Sequence, residues 1–244
     1  MLPFWIALQF LSSFPVRLPG MPPPASVGRS LLYYPLVGAL FGGVLLVMQL
    51  LLASVPVVLQ AVLLLATWVA LSGALHLDGL ADTADAWVGG FGDRERTLTI
   101  MKDPRSGPIA IVVLVLLLLV KFAGLLVLTQ SGHLIGLLLA PLIGRTALLG
   151  LFLGTPYVRK GGLGQALADH LPRHTALGVL LGVGLVVVLL GGGSGIAALL
   201  LAATGFCWLR HLLMRRLGGT TGDTAGAMVE LLEVLVLVGL ALLA

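Results

Sequence analysis

Residues 109–120 read IAIVVLVLLLLV, a run with no polar side chain. Extended to 108–129 and interrupted only by Lys121 until its last residue, Thr129, it supplies the roughly 20 helical residues needed to cross a hydrocarbon core about 30 Å thick. The rest of the chain repeats the pattern. Of 244 residues, 59% are hydrophobic and 10% charged, a balance that soluble domains do not reach. Further apolar stretches at 31–53, 57–75 and 134–153 predict spans of similar length. The region 175–212 is interrupted by GGGSG at 191–195, and because glycine clusters punctuate helices it reads as two spans, 176–190 and 196–211. A last span is predicted at 227–243. The expected fold is therefore an all-α polytopic integral membrane protein of about seven transmembrane helices, with residues 1–244 forming a single membrane-embedded domain. The opening MLPFWIALQFLSSFP has no basic n-region and no small-residue cleavage site, and is expected to be a short interfacial segment rather than a removed signal peptide.

The formal net charge of +4 is explained by orientation before nucleic acid need be invoked, and no nucleic-acid partner is expected. Arg17, Arg29, Arg94, Arg96, Lys102, Arg105, Arg159, Lys160, Arg173, Arg210, Arg215 and Arg216 all fall on one side of the predicted spans. The opposite connections 54–56, 130–133 and 191–195 carry no Lys or Arg, which places the amino terminus and three large loops in the cytoplasm. Lys121 and Arg145 fall inside spans. The single cysteine, Cys207, can form no intrachain disulfide and is expected to be a packing residue.

Acidic residues gather on the same side. In HLDGLADTADAW, 76–87, a continued second helix would put Asp78, Asp82 and Asp85 at i, i+4 and i+7, within roughly 60° of one another. Like charges so spaced destabilise a helix, and carboxylates at membrane depth are functional by default, so a positive partner is expected. Magnesium suits them, since it uses one or two carboxylates with phosphate oxygens and water. A second group lies in GGTTGDTAGAMVELLE, 218–233, where a helix beginning near Thr224 would be capped by Asp223 and turn Glu230 and Glu233 to one side. Asp78, Asp82, Asp85, Asp223 and Glu230 are thus the candidate ligands of one or two ions, at a site on the cytoplasmic face.

Cations and glycines accompany them. GDRERTLTIMKDPRSGP at 92–108 and YVRKGGLG at 157–164 offer arginine forks, lysine charges and backbone amides freed by Gly161 and Gly162, all suited to phosphate oxygens. Arg94, Arg96, Asp103 and Arg159 are candidate substrate contacts, and Lys102 and Arg105 candidate catalytic cations. Arg145, roughly 12 Å from the cytoplasmic end of its span, is placed to reach the same site. Lys121, roughly 20 Å deep, is expected to find a partner within the bundle or to snorkel away. His76 adjoins the acidic face and is a candidate base, as is Asp85. No GxxxxGK[ST], HExxH or CxxC occurs, so ATP-driven transport, zinc hydrolysis and thiol redox chemistry lack their usual signatures. The residues themselves support a membrane-bound, metal-dependent transferase acting on a phosphorylated or diphosphate substrate.

LQFLSSFPV at 8–16, YYPLVGALFG at 33–42, GALHLDGLADTADAW at 73–87, RERTLTIMKDPRSGPIA at 94–110, the GR pair at 144–145, YVRKGGLG at 157–164 and RRLGGTTGDTAGAMVELLE at 215–233 together resemble the cobalamin synthase family, the adenosylcobinamide-GDP ribazoletransferases. The resemblance runs nearly end to end. It implies a magnesium-dependent transfer that joins adenosylcobinamide-GDP to α-ribazole, or to α-ribazole 5′-phosphate, with release of GMP. It also implies a bacterial inner-membrane location, with the lipid bilayer as a partner. Association with other cobalamin-pathway enzymes on the basic loops, and self-association, are left open. Two other classes remain as alternatives. CDP-alcohol phosphotransferases also cluster aspartates at a membrane face, but their DGxxAR pattern meets Asp82 and Thr83 here where alanine and arginine should stand. An ion-coupled transporter could use buried acids as a cation site.

Overall fold

The computed structural model describes residues 1–159, 161–162 and 164–244. The described residues form helices joined by short turns, with no strand and one isolated bridge between Tyr157 and Thr220. Helix α1 (Leu2–Leu11) is followed by α2 (Pro24–Ser30), which leads through a 3-10 turn into α3 (Tyr34–Leu51). Next come α4 (Val57–Ser72), α5 (Leu75–Gly89), the short α6 (Arg94–Ile100), α7 (Pro108–Ser131) and α8 (Ile135–Gly154). The chain closes with α9 (Gly164–Asp169), α10 (Arg173–Leu217) and α11 (Gly222–Leu242). Helices α8 and α11 are the most enclosed, and α3, α5, α7 and α10 pack around them.

Five helical stretches are long and apolar enough to cross a membrane: 24–51, α7, α8, α10 and α11. A sixth arises if α4 and α5 form one broken span. The expected seven is reached only by also dividing α10 at Gly192, and the backbone does divide there. Gly192 has φ 52° and ψ −125°, and Gly195 lies directly against the carbonyl of Val187. Residues eight apart in a straight helix would be about 12 Å apart along its axis, so the chain reverses at GGGSG as a hairpin. Cys207 is exposed on the second arm rather than packed.

The second helix does not run on through HLDGLADTADAW. Gly73 and Ala74 both adopt left-handed conformations, φ 59° and 58°, and α5 leaves α4 at 86°. Ala74 occupies a region sparsely populated by residues with a Cβ. The break frees carbonyls at the end of α4, and the segment after α1 takes them up: Ser13 donates its backbone N–H to Leu71 O at 2.8 Å and its hydroxyl to Ala70 O at 2.6 Å. The conspicuous LQFLSSFPV motif thus acts as a cap on a broken helix.

Four charges lie within the bundle. Lys121 Nζ donates to Glu230 Oε2 at 3.0 Å and Glu233 Oε2 at 2.7 Å, and sits 4.1 Å from the centre of the Trp68 ring. Arg145, completely buried, pairs with Glu233 and lies 4.5 Å over the Phe41 ring. Lys121 is thus the intrabundle partner that its depth predicts. Arg145 is not the phosphate contact expected of it, because its guanidinium turns inward to Glu233. Glu230 likewise leaves the expected metal site. Seven residues carry it about 10 Å along α11 from Asp223, to the depth of Lys121.

Removing one partner of a buried ion group leaves an uncompensated charge and costs about 3–5 kcal/mol. Glu233→Ala is expected to lower the melting temperature of the detergent-solubilised protein sharply, and Arg145→Met combined with Glu233→Met to recover part of the loss. An unchanged melting temperature in Glu233→Ala would contradict this role.

Candidate active site

The charged loops meet at one end of the bundle. Arg94 Nε donates to Leu217 O at 2.7 Å, and Arg216 donates to Thr97 Oγ1 at 3.1 Å and to Trp87 O at 2.8 Å. Val158 N–H donates to Thr220 O, and Thr220 N–H to Pro156 O, so the loop after α8 is paired with the turn before α11. These bonds fix α6, residues 156–158 and the start of α11 against one another.

Helix α5 crosses α11 at close range. A Cβ on Gly79 would come within 2.7 Å of Asp223 O, so only glycine permits the approach. The crossing carries Asp78 and Asp223 to the wall of one cavity of about 440 Å3, which Lys102, Arg159, Gly161 and Gly162 also line. Asp82, a turn further along α5, does not itself line the cavity, but it feels the charges of Asp78, Asp223, Asp85 and Arg159. Arg159 Nη1 donates to Asp223 Oδ2 at 2.8 Å. A smaller hollow beside it is bordered by Arg94, Lys102, Arg159 and Asp223.

Asp223 is not the cap predicted for α11. The cap is Thr221, whose hydroxyl accepts the Thr224 N–H at 3.2 Å while Thr224 Oγ1 accepts the Thr221 N–H at 2.8 Å. This reciprocal box relieves Asp223 of the capping duty and leaves its carboxylate to Arg159 and the cavity.

Asp85 departs furthest from expectation. Its Oδ2 accepts the Gly107 N–H and its Oδ1 the Ala110 N–H at 2.9 Å, so both oxygens cap the first turn of α7. Its role is to hold α7 onto α5, which leaves it a poor ligand or base. Asp103 and Arg105 pair with each other at 2.7 Å on the surface, away from the cavity. Hydrogen bonds from Arg105 hold the Asp103 carboxyl down at about 2. Arg96 lies over the Phe91 ring at 5.1 Å and does not line the cavity, while the guanidinium of Arg94 is engaged by the end of α10. Lys160 lies outside the described residues.

His76 lines the cavity and is almost fully buried, and its Nδ1 has no hydrogen-bond partner among the described residues. Several lining residues were not anticipated: Phe10, Leu11, Tyr34, Leu148, Phe152 and Tyr157. Burial raises the Tyr157 phenol above its ordinary range, which keeps it a hydrogen-bond donor at neutral pH. Its place at the head of YVRKGGLG was the one signal available, and apolar residues within spans gave none.

Among the described residues no three His, Cys, Asp or Glu side chains converge as a cage for a metal ion. That does not exclude magnesium, which characteristically takes one or two carboxylates and completes its shell with substrate oxygens and water. The side chains of Asp78 and Asp82 make no hydrogen bond or ion pair among the described residues, and the ion pair of Asp223 there is to Arg159 through Oδ2. Three incompletely engaged carboxylates beside two cations fit an anionic substrate carrying a divalent ion.

The family model described as cobalamin-5-phosphate synthase matches residues 3–241. The chain is 68% identical over 243 residues to a protein of Pseudomonas savastanoi pv. phaseolicola named adenosylcobinamide-GDP ribazoletransferase, with 100% of both chains covered. It is 70% identical over 243 residues to a protein of the same name from Pseudomonas entomophila, again covering 100% of each. A Pseudomonas fluorescens protein of that name is 68% identical over 242 residues, 99% of this chain and 100% of its own. No solved structure matches.

The cap assigned to Asp85 has a local readout. Asp85→Ala is expected to weaken the α7 start by about 1 kcal/mol and to speed amide exchange at Gly107 and Ala110, whereas Asp78→Ala leaves both amides protected. Equal protection in the two variants would contradict the assignment.

Proposed function

The chain belongs to the cobalamin-5-phosphate synthase family, and we propose that it catalyses the reaction for which its relatives are named, joining adenosylcobinamide-GDP to α-ribazole with release of GMP. A hydroxyl of α-ribazole attacks the phosphorus attached to the cobinamide, the bond from that phosphorus to the GMP oxygen breaks, and a phosphodiester remains. α-Ribazole 5′-phosphate would react in the same way. The observation that carries this reading is the convergence on one cavity of Asp78, Asp223, Lys102, Arg159 and two glycines.

Each group has a task that its surroundings allow. Lys102 and Arg159 neutralise diphosphate oxygens, and Gly161 and Gly162 let the backbone approach them without side-chain obstruction. Asp78, Asp82 and Asp223 would hold magnesium. Bound there, the ion would supply neutralisation of diphosphate charge and of the departing GMP. His76 lies at the cavity wall, with Nδ1 unpartnered among the described residues, and is the group that would accept the hydrogen bond and the proton of the attacking hydroxyl. Asp85 holds α7 against α5 and contributes through position.

A cation-transport reading has less support, because the deep acids Glu230 and Glu233 are already neutralised by Lys121 and Arg145. The charged end of the bundle is assigned to the cytoplasmic face of the bacterial inner membrane, since the loops that carry its cations obey the positive-inside pattern.

Purified protein in liposomes, given adenosylcobinamide-GDP, α-ribazole and magnesium, is expected to release GMP and form adenosylcobalamin. Asp82→Asn or Asp223→Asn should slow turnover by about 100-fold or more while the protein remains inserted. Wild-type rates in both variants would remove the carboxylate site, and absence of GMP from the wild type would remove the reading. A cysteine placed at Ser106 should react with an impermeant reagent from the cytoplasmic side alone, and labelling from the outer side would reverse the orientation.

A further inference from the structure

The cavity continues past its charged groups into an apolar end. Phe10 and Leu11 of α1, Tyr34 of α3, and Leu148 and Phe152 of α8 form it. Phe152 stacks on Tyr157 with ring centroids 6.0 Å apart and planes 21° from parallel. A diphosphate and its counter-ion have no use for such a wall.

Two of the side chains in this lining also carry polar groups. They are Tyr34 and His76, which are 1% and 3% exposed. Ligand sites combine mostly apolar walls with a few convergent polar groups, which is the composition found here.

The two substrates of the reading above differ in what they could place there, and the inference rests on that reading. The corrinoid macrocycle is too large for a cavity of about 440 Å3. The guanine of the other substrate presents several donors and acceptors that this wall would leave unmatched. The acceptor nucleoside carries a flat bicyclic base whose surface is mostly apolar. The geometry points to the apolar end of the cavity, walled by Tyr34, Leu148 and Phe152, as the subsite for the aromatic base of the acceptor. The ribose then lies beside His76, and its hydroxyl faces the charged end. Tyr34 packs its ring against the base, and Leu148 with Phe152 limits the size of base accepted.

Steady-state kinetics with each substrate varied separately tests this. Tyr34→Leu should raise KM for α-ribazole about fivefold, the loss of one aromatic contact, and leave KM for adenosylcobinamide-GDP unchanged. Leu148→Phe should do the same, with the defect relieved by a benzimidazole riboside that lacks ring methyl groups. In the wild-type protein, an azido-substituted benzimidazole riboside should crosslink to Tyr34 or within 148–157, which needs no variant to fold. Normal wild-type turnover with unaltered acceptor KM in both variants, a shift confined to KM for adenosylcobinamide-GDP, or crosslinks confined elsewhere would overturn the subsite alone. A wild-type protein that releases no GMP would overturn the functional reading and the subsite with it.

Discussion

Glu233 accepts from Lys121 of α7 and pairs with Arg145 of α8, and with Glu230 it forms a neutral group of four charges inside an apolar bundle. A charge at that depth without a partner costs several kcal/mol, so α11 cannot slide or rotate relative to α7 and α8 without breaking the group. The rings of Trp68 and Phe41 extend the constraint to α4 and α3. With α11 fixed, Asp223, ten residues earlier and therefore about 15 Å along the axis, is held at the end of the bundle. The intramembrane charges thus set the depth of the site while lying outside it.

The site itself is assembled from departures from regular helix. In lipid, irregular backbone is tolerated where it is buried in protein or lines a polar cavity. The Gly73–Ala74 break turns α5 by 86° and aims its acidic face at α11 rather than along the axis of α4. Ser13 caps the carbonyls freed by that break, and Asp85 caps the start of α7. Gly79 then admits α11 to van der Waals contact. Each device is local, and together they bring carboxylates from two helices and cations from two loops to one cavity.

Much of this was legible in the sequence because lipid leaves few choices. Span positions follow from apolar length, the reversal at GGGSG from a cluster of glycines, and the shared face of Asp78, Asp82 and Asp85 from helical spacing. The gathering of charged loops at one end follows from the distribution of Lys and Arg. What spacing could not show was partner choice. Arg145 and Glu230 sit at plausible distances from the site along their helices, and only packing reveals that each is nearer an opposite charge in the bundle. Asp85 shares its face with two free carboxylates, yet the fold back of α7, 22 residues later, claims both its oxygens. The left-handed pair at Gly73–Ala74 was hidden because alanine gives no warning of a break. The aromatic end of the cavity was hidden because Tyr34 and Phe152 read as ordinary span residues.

The α5–α11 crossing is proposed to bind a diphosphate together with a divalent ion. Equilibrium binding of adenosylcobinamide-GDP to the liposome-embedded protein, with and without magnesium and with no acceptor present, tests it most directly. Magnesium is expected to tighten binding at least about tenfold in the wild type and to have no effect in Asp82→Asn or Asp223→Asn. Affinity independent of magnesium in the wild type, or an equal response in the variants, would contradict it.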